Sequence, residues 1–149
     1  MTRLLALVLL MFGLHGEGAF AADDMPKMVV WKNPQCGCCG KWVDHLRAAG
    51  FTVEVNETEN INKIKRKFGI PEPLTACHTA AIGDYYVEGH VPADAVKELL
   101  VAKPKIVGLA VPGMPMGSPG MEVESGEVEA YEVRAVDASG ASSVFKSYP

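Results

Sequence analysis

The stretch Met28-Val29-Val30-Trp31-Lys32-Asn33-Pro34-Gln35-Cys36-Gly37-Cys38-Cys39-Gly40-Lys41-Trp42-Val43 decides the fold. Met28 to Trp31 is a continuous apolar run, the pattern of a central strand covered on both faces, and Asn33-Pro34 ends it. From Gly37 the chain turns into a helix in which Trp42, Val43, Leu46 and Ala49 share one apolar face. Three thiols, Cys36, Cys38 and Cys39, fall in the turn between strand and helix. A thiol at a helix N-terminus sits at the positive end of the backbone dipole, which favours the thiolate and makes it both nucleophile and metal ligand. Cys36 and Cys39 form a Cys-x-x-Cys pair, a redox motif in this context, but Cys38 adds a sulfur that such a pair does not need.

Working outward, Gly50 stops the helix and Phe51 to Val55 alternate as a second strand. Ile61, Ile64 and Phe68 recur at helical spacing, with Lys63, Lys65, Arg66 and Lys67 expected on a solvated face, and Gly69 and Pro71 end that helix. Leu74 to Ile82 and Tyr85 to Glu88 read as strands joined by a two-residue turn, Gly83-Asp84. Pro92 opens a helix over Ala93 to Ala102, with Val96, Leu99 and Leu100 inward. The order β-α-β-α-β-β-α is an α/β fold. A right-handed crossover makes it a mixed sheet of a parallel pair plus an antiparallel hairpin, covered by helices. Lys103 to Met121 is rich in Gly and Pro, with Val107, Leu109 and Val111 alternating at its start. Glu127 to Asp137 and Ser142 to Tyr148 then form a terminal β-hairpin around Ser139-Gly140, an appendage on the same domain.

The first 21 residues read as a secretory signal: Arg3, an apolar run from Leu4 to Leu14, and small residues ending in Ala19-Phe20-Ala21. Removing it leaves residues 22–149, about 128 residues, enough for one domain with a real core. The apolar run is too short for a bilayer, and no later stretch approaches the roughly 18 to 20 residues that a membrane span needs. A net charge of −4 with no basic block argues against nucleic acid as a partner. The chain has four cysteines. In an exported protein an even count usually means structural disulfides, but Cys38 and Cys39 are neighbours and a vicinal bridge is strained, which weakens that reading.

The hairpin brings the fourth cysteine to the other three. If Gly83-Asp84 is the loop, Ile82 pairs with Tyr85, and counting outward Cys77 pairs with His90, with Cβ atoms about 4.5–5.5 Å apart. The third strand runs antiparallel to the first, so it begins where the first strand ends, at the three-thiol turn. Cys36, Cys38, Cys39, Cys77 and His90 therefore converge. Soft sulfurs with an imidazole suit Cu(I) or zinc. A structural zinc takes four ligands in a closed tetrahedron, which three thiols so close in sequence do not reach comfortably, whereas thiolates can bridge several Cu(I) ions. Copper is thus favoured over a single zinc, with a single ion and a thiolate-bridged cluster both open. His78 points away from Cys77 in a regular strand and joins the ligands only if the strand is irregular, which Pro71 and Pro73 allow. His45 lies about 10 Å along the helix from Cys38, the place of a surface or supporting residue. Trp42 reads as core and as a wall keeping water off the thiols. Met114, Met116 and Met121 fall in a loop without periodicity, so core filling explains them poorly; their thioethers are further candidates for Cu(I).

Several segments together, Cys36-Gly37-Cys38-Cys39-Gly40-Lys41-Trp42, His45 to Phe51, Cys77-His78-Thr79-Ala80, Glu88 to Pro92 and Gly108 to Pro115, resemble the CopG-type copper-resistance proteins of the bacterial periplasm over nearly the whole mature chain. The resemblance implies a thioredoxin-like fold, a cysteine-rich copper site, a periplasmic location and a role in copper resistance or homeostasis that can include copper redox activity. Copper ions, and other copper-handling proteins of the periplasm, are the partners it implies. A more distant likeness is to thioredoxin, whose Cys-x-x-Cys positions match Cys36 and Cys39. The cis-proline expected before the third strand's threonine is here Leu74, preceding Thr75, which puts general disulfide exchange in doubt. Two functions follow: a Cu(I)-binding protein using Cys36, Cys38, Cys39, Cys77, His78 and His90, or a periplasmic thiol-disulfide oxidoreductase using Cys36 and Cys39.

Overall fold

The computed structural model describes residues 25–149. The expected signal, 1–21, lies outside the described residues. β1 (Met28–Lys32) leads through α1 (Gly37–Ala48) to β2 (Val53–Glu57), and α2 (Ile61–Phe68) follows. β3 (Thr79–Ile82) and β4 (Tyr85–Glu88) form the hairpin, α3 (Ala93–Ala102) returns to β5 (Gly108–Ala110), and β6 (Tyr131–Val136) and β7 (Ser142–Tyr148) close the chain. They make one seven-stranded mixed sheet in the order β2-β1-β3-β4-β5-β6-β7. β1 pairs with β2 in parallel and with β3 antiparallel, so the expected parallel pair and antiparallel hairpin are both present. The terminal hairpin does not sit apart from this sheet. β6 pairs antiparallel with β5 and continues it.

The alternation of each strand sorts the core into two faces. Met28, Val30, Ala80, Ile82, Val87, Leu109 and Val133 pack with Trp42 and Leu46 of α1 and with Val96 and Leu99 of α3. The opposite face carries Tyr86, Ala110 and Val136 with Ile70 and Leu74, and Phe68 of α2 packs there. Trp31, alternate to Val30, meets Phe68 on that side at 5.5 Å between ring centroids.

Two local departures from the sequence reading shape the site. The third strand begins at Thr79, not Leu74, because Glu72–Leu74 form a 3-10 turn and the chain from Thr75 to His78 makes no ladder. Pro71 and Pro73 supply the reason, since proline cannot donate to a ladder and biases the residue before it. The second departure is in α2. Lys65, expected on the solvated face with Lys63, Arg66 and Lys67, is buried. It stands four residues after Ile61 and three before Phe68, which is the inward face of the helix.

Candidate metal centre

The turn after β1 is built on backbone bonds. Asn33 Oδ1 accepts the Gln35 N–H at 2.9 Å, Asn33 O accepts the Cys36 N–H at 3.0 Å, and Cys36 becomes the N-cap of α1. One helical turn then brings Cys36 and Cys39 together, and they form a disulfide with Cα atoms 5.4 Å apart. Cys38 and Cys77 are free thiols. Cys38 Sγ lies 3.5 Å from Cys36 Sγ, and the sulfurs of Cys36, Cys38, Cys39 and Cys77 all fall within 4.8 Å of one another. A second group overlaps the first at Cys77: its sulfur and ring nitrogens of His78 and His90 lie within the same 4.8 Å.

The hairpin register is the one that sequence arithmetic gives, Ile82 opposite Tyr85 and Thr79 opposite Glu88. Counted on, it places Cys77 against His90, where Cys77 Sγ is 3.1 Å from His90 Nε2. Both residues lie beyond the ladder, and a Gly89 N–H bond to His78 O at 3.1 Å carries the pairing to them. Gly89 has φ +73, and a Cβ there would meet Ala76 Cβ and Val111 O at 2.6 Å, so only glycine fits this close approach. The irregular segment before β3 resolves His78 as well. Its Nδ1 is 3.4 Å from Cys77 Sγ, and its ring lies 4.2 Å from Trp42 and 5.0 Å from His90. His78 is fully buried, and its Nε2 has no hydrogen-bond partner among the described residues. The nitrogen that faces the Cys77 sulfur is thus Nδ1, the His78 atom placed to act as a ligand.

Hydrogen bonding sets the state of His90. Its Nδ1 is 2.8 Å from Pro119 O, and a carbonyl can only accept, so Nδ1 carries the proton and the Nε2 lone pair faces Cys77. Burial pushes the His90 pKa below its ordinary value, against the opposing pull of the Pro119 carbonyl and Glu122. His78 is held well below by burial, with His90 and Lys65 adding to it. Both rings are therefore neutral donors at neutral pH. Burial, then Cys38 beside it, pushes the Cys77 thiol up to about 12, so in the metal-free protein it keeps its proton until a cation displaces it.

The Gly/Pro loop after β5 closes the site from above. Pro119 orients His90, and Gly120 (φ +88) packs so tightly on α1 that a Cβ would come within 2.7 Å of Cys38 O and 2.8 Å of Trp42 N. The Trp42 indole donates to Val91 O at 2.9 Å and walls the site beside His78.

The chain as a whole is similar to known proteins. The family described as "Protein of unknown function, DUF411" matches residues 74–121. A search of curated proteins found no match. Among solved structures, "Copper resistance protein copG- Form 2" is similar at 40% identity and a TM-score of 0.80, with 85% of this chain and 100% of that chain covered. Form 1 of the same protein gives 40% identity and a TM-score of 0.79, covering 85% of this chain and 99% of that one. The chain belongs to the CopG family. As a member, its cysteine cluster is a possible metal site in a mixed α/β fold that the CopG structures share.

All six expected site residues of this CopG family member, Cys36, Cys38, Cys39, Cys77, His78 and His90, meet at one end of the sheet. His45 is placed elsewhere. Its Nε2 accepts the Ala93 N–H at 3.1 Å, capping the start of α3. Met114 and Met116 are exposed on the loop. Sequence reasoning missed Pro119 and Gly120, whose only signal was the density of Gly and Pro in an otherwise unassigned loop. It also missed Glu88, a buried carboxylate at the end of a strand otherwise made of Tyr85, Tyr86 and Val87.

Proposed function

We propose that this protein is exported, loses residues 1–21 and, with Cys36 and Cys39 reduced, holds Cu(I) through Cys36, Cys38, Cys39, Cys77, His78 and His90 in the service of copper resistance or homeostasis. The observation that carries the reading is the overlap at Cys77 of a four-sulfur group with a sulfur-diimidazole group, the atoms of each group lying within 4.8 Å of one another. The kinship with proteins titled copper resistance supports it. So does the placement of His78 Nδ1 at 3.4 Å from Cys77 Sγ. Shared thiolates at this density suit bridging of several Cu(I) ions, because a single tetrahedral zinc would leave donors unused. Bound copper would supply a centre that can change oxidation state. The chain's own contribution is to keep both rings neutral, aim His90 Nε2 through the Pro119 carbonyl, and exclude water with Trp42.

The disulfide between Cys36 and Cys39 favours a second reading, a periplasmic thiol-disulfide oxidoreductase in which Cys36 attacks and Cys39 resolves. Anaerobic Cu(I) titration of the reduced chain 22–149, in competition with a Cu(I) chelator, separates the two. We expect at least one Cu(I) per chain and weaker binding after Cys38→Ser or Cys77→Ser. Stoichiometry below one, together with rapid disulfide reduction that survives both substitutions, would replace the copper reading with the second. N-terminal sequencing of protein from a periplasmic fraction tests the export, with a start at residue 22 expected.

A further inference from the structure

Outside the sulfur and imidazole groups, the described residues include an ion pair buried on both sides. Glu88 is fully buried and Lys65 nearly so. Glu88 Oε1 is ion-paired with Lys65 Nζ and accepts the Ala76 N–H at 2.6 Å. Glu88 Oε2 accepts the Thr79 hydroxyl at 2.6 Å, and Lys65 Nζ also donates to Thr79 Oγ1 at 3.2 Å. Burying an ion pair forfeits hydration that mutual attraction rarely recovers in full, and well-packed apolar residues often serve stability better. Stability alone is thus a poor account of this pair.

What the carboxylate touches supplies a better one. Ala76 precedes Cys77 in the segment that has no ladder. On the far side of Cys77, His78 O is fixed by Gly89 N–H at 3.1 Å. On the near side, Thr75 O meets Gly113 N–H only at 3.5 Å, and the short bond from Ala76 to Glu88 is the firm tie. We infer that Glu88, held in place by Lys65 and Thr79, is a positioning residue for Cys77: by fixing the Ala76 backbone it sets the Cys77 sulfur and the His78 ring against His90 and the α1 thiols. This inference rests on the copper reading above and adds to it the part of the fold that holds the ligands apart from the ligands themselves.

Two double variants isolate the bond. Lys65→Met with Glu88→Gln and Lys65→Met with Glu88→Leu both lack the ion pair, but glutamine keeps an oxygen for Ala76 N–H and leucine does not. Three readouts are taken on the reduced protein: Cu(I) competition against a chelator, thermal melting, and the alkylation rate of Cys77 as the lone thiol in a metal-free Cys36→Ser, Cys38→Ser, Cys39→Ser background. The Leu variant is expected to bind Cu(I) more weakly by about 10- to 100-fold, the range for groups that orient metal ligands, and to alkylate faster. The Gln variant should stay close to the parent in both. Equal affinity and equal alkylation in the two variants, or losses that follow melting temperature alone, would overturn the inference. Should the Leu variant fail to fold, Thr79→Val removes the Oε2 donor in nearly the same volume and must shift affinity and alkylation in the same direction; no shift overturns the inference. If the parent itself binds no Cu(I), the copper reading fails, and the alkylation comparison alone still decides whether Glu88 positions Cys77.

Discussion

His90 works through two nitrogens with opposite tasks: Nδ1–H is spent on the Pro119 carbonyl, leaving Nε2 for the Cys77 side of the site. Replacing the ring with alanine therefore removes a donor and the tie to the closing loop. His90→Ala is expected to weaken Cu(I) binding in chelator competition by more than Met114→Ala, whose side chain is exposed. Gly120→Ala places a Cβ against Cys38 O and Trp42 N at a positive φ, and should lower stability by about 1–3 kcal/mol in a denaturant melt. His45 gives a pH prediction. Burial lowers its pKa from the ordinary 6.5, outweighing Glu122 and Asp94. The unfolded chain then takes up a proton near pH 6.5 that the folded chain takes up only at lower pH. Stability is fully present above that value and declines as pH falls below it, by at most about 1.4 kcal/mol per pH unit for each such histidine. His78 and His90 add in the same sense. Melts from pH 8 to 5 should show the decline, and His45→Gln, which keeps an acceptor for Ala93 N–H, should make it shallower.

Among the elements, the hairpin was the most legible, because a two-residue Gly-Asp turn leaves one register and the register fixes Cys77 against His90. His78 was legible only as a conditional, since its place depends on where β3 begins, and that depends on a 3-10 turn that no hydrophobic period announces. Lys65 was misread although the signal was present: helical spacing put it on the Ile61–Phe68 face, but its charge suggested solvent, and the partner that reverses this, Glu88, lies 23 positions away. Long-range polar pairing leaves no trace in a local window. The α1 turn has its own test. A disulfide closing so short a loop contributes about 2 kcal/mol at most by the chain-entropy account. Reduction should consequently leave the near-UV circular dichroism and a cooperative melt, moved by no more than about 10 °C. Loss of the fold on reduction would make the bridge a structural staple.

At the scale of the molecule, seven strands of the described residues share one sheet, and the last two complete it. Val133 and Val136 of β6 are buried, one in each core face. Ending the chain after Met121 would uncover both and leave β5 as an open edge, so that form should aggregate or be digested rapidly where the full chain resists protease. The β-α-β-α-β-β-α order could be read ahead because each element carries its own periodicity. The route by which the loop from Val111 to Met121 returns over α1 could not, since Gly and Pro define turns but not destinations. The placement of the two tryptophans has a practical consequence. Trp31 lies against Phe68 on one face of the sheet, whereas Trp42 packs against His78 with ring centroids 4.2 Å apart. In a Trp31→Phe protein the remaining indole is an intrinsic fluorophore one ring away from the proposed copper site, so copper binding there should dim its emission in proportion to loading. The molecule would then report its own occupancy optically, with no competing dye.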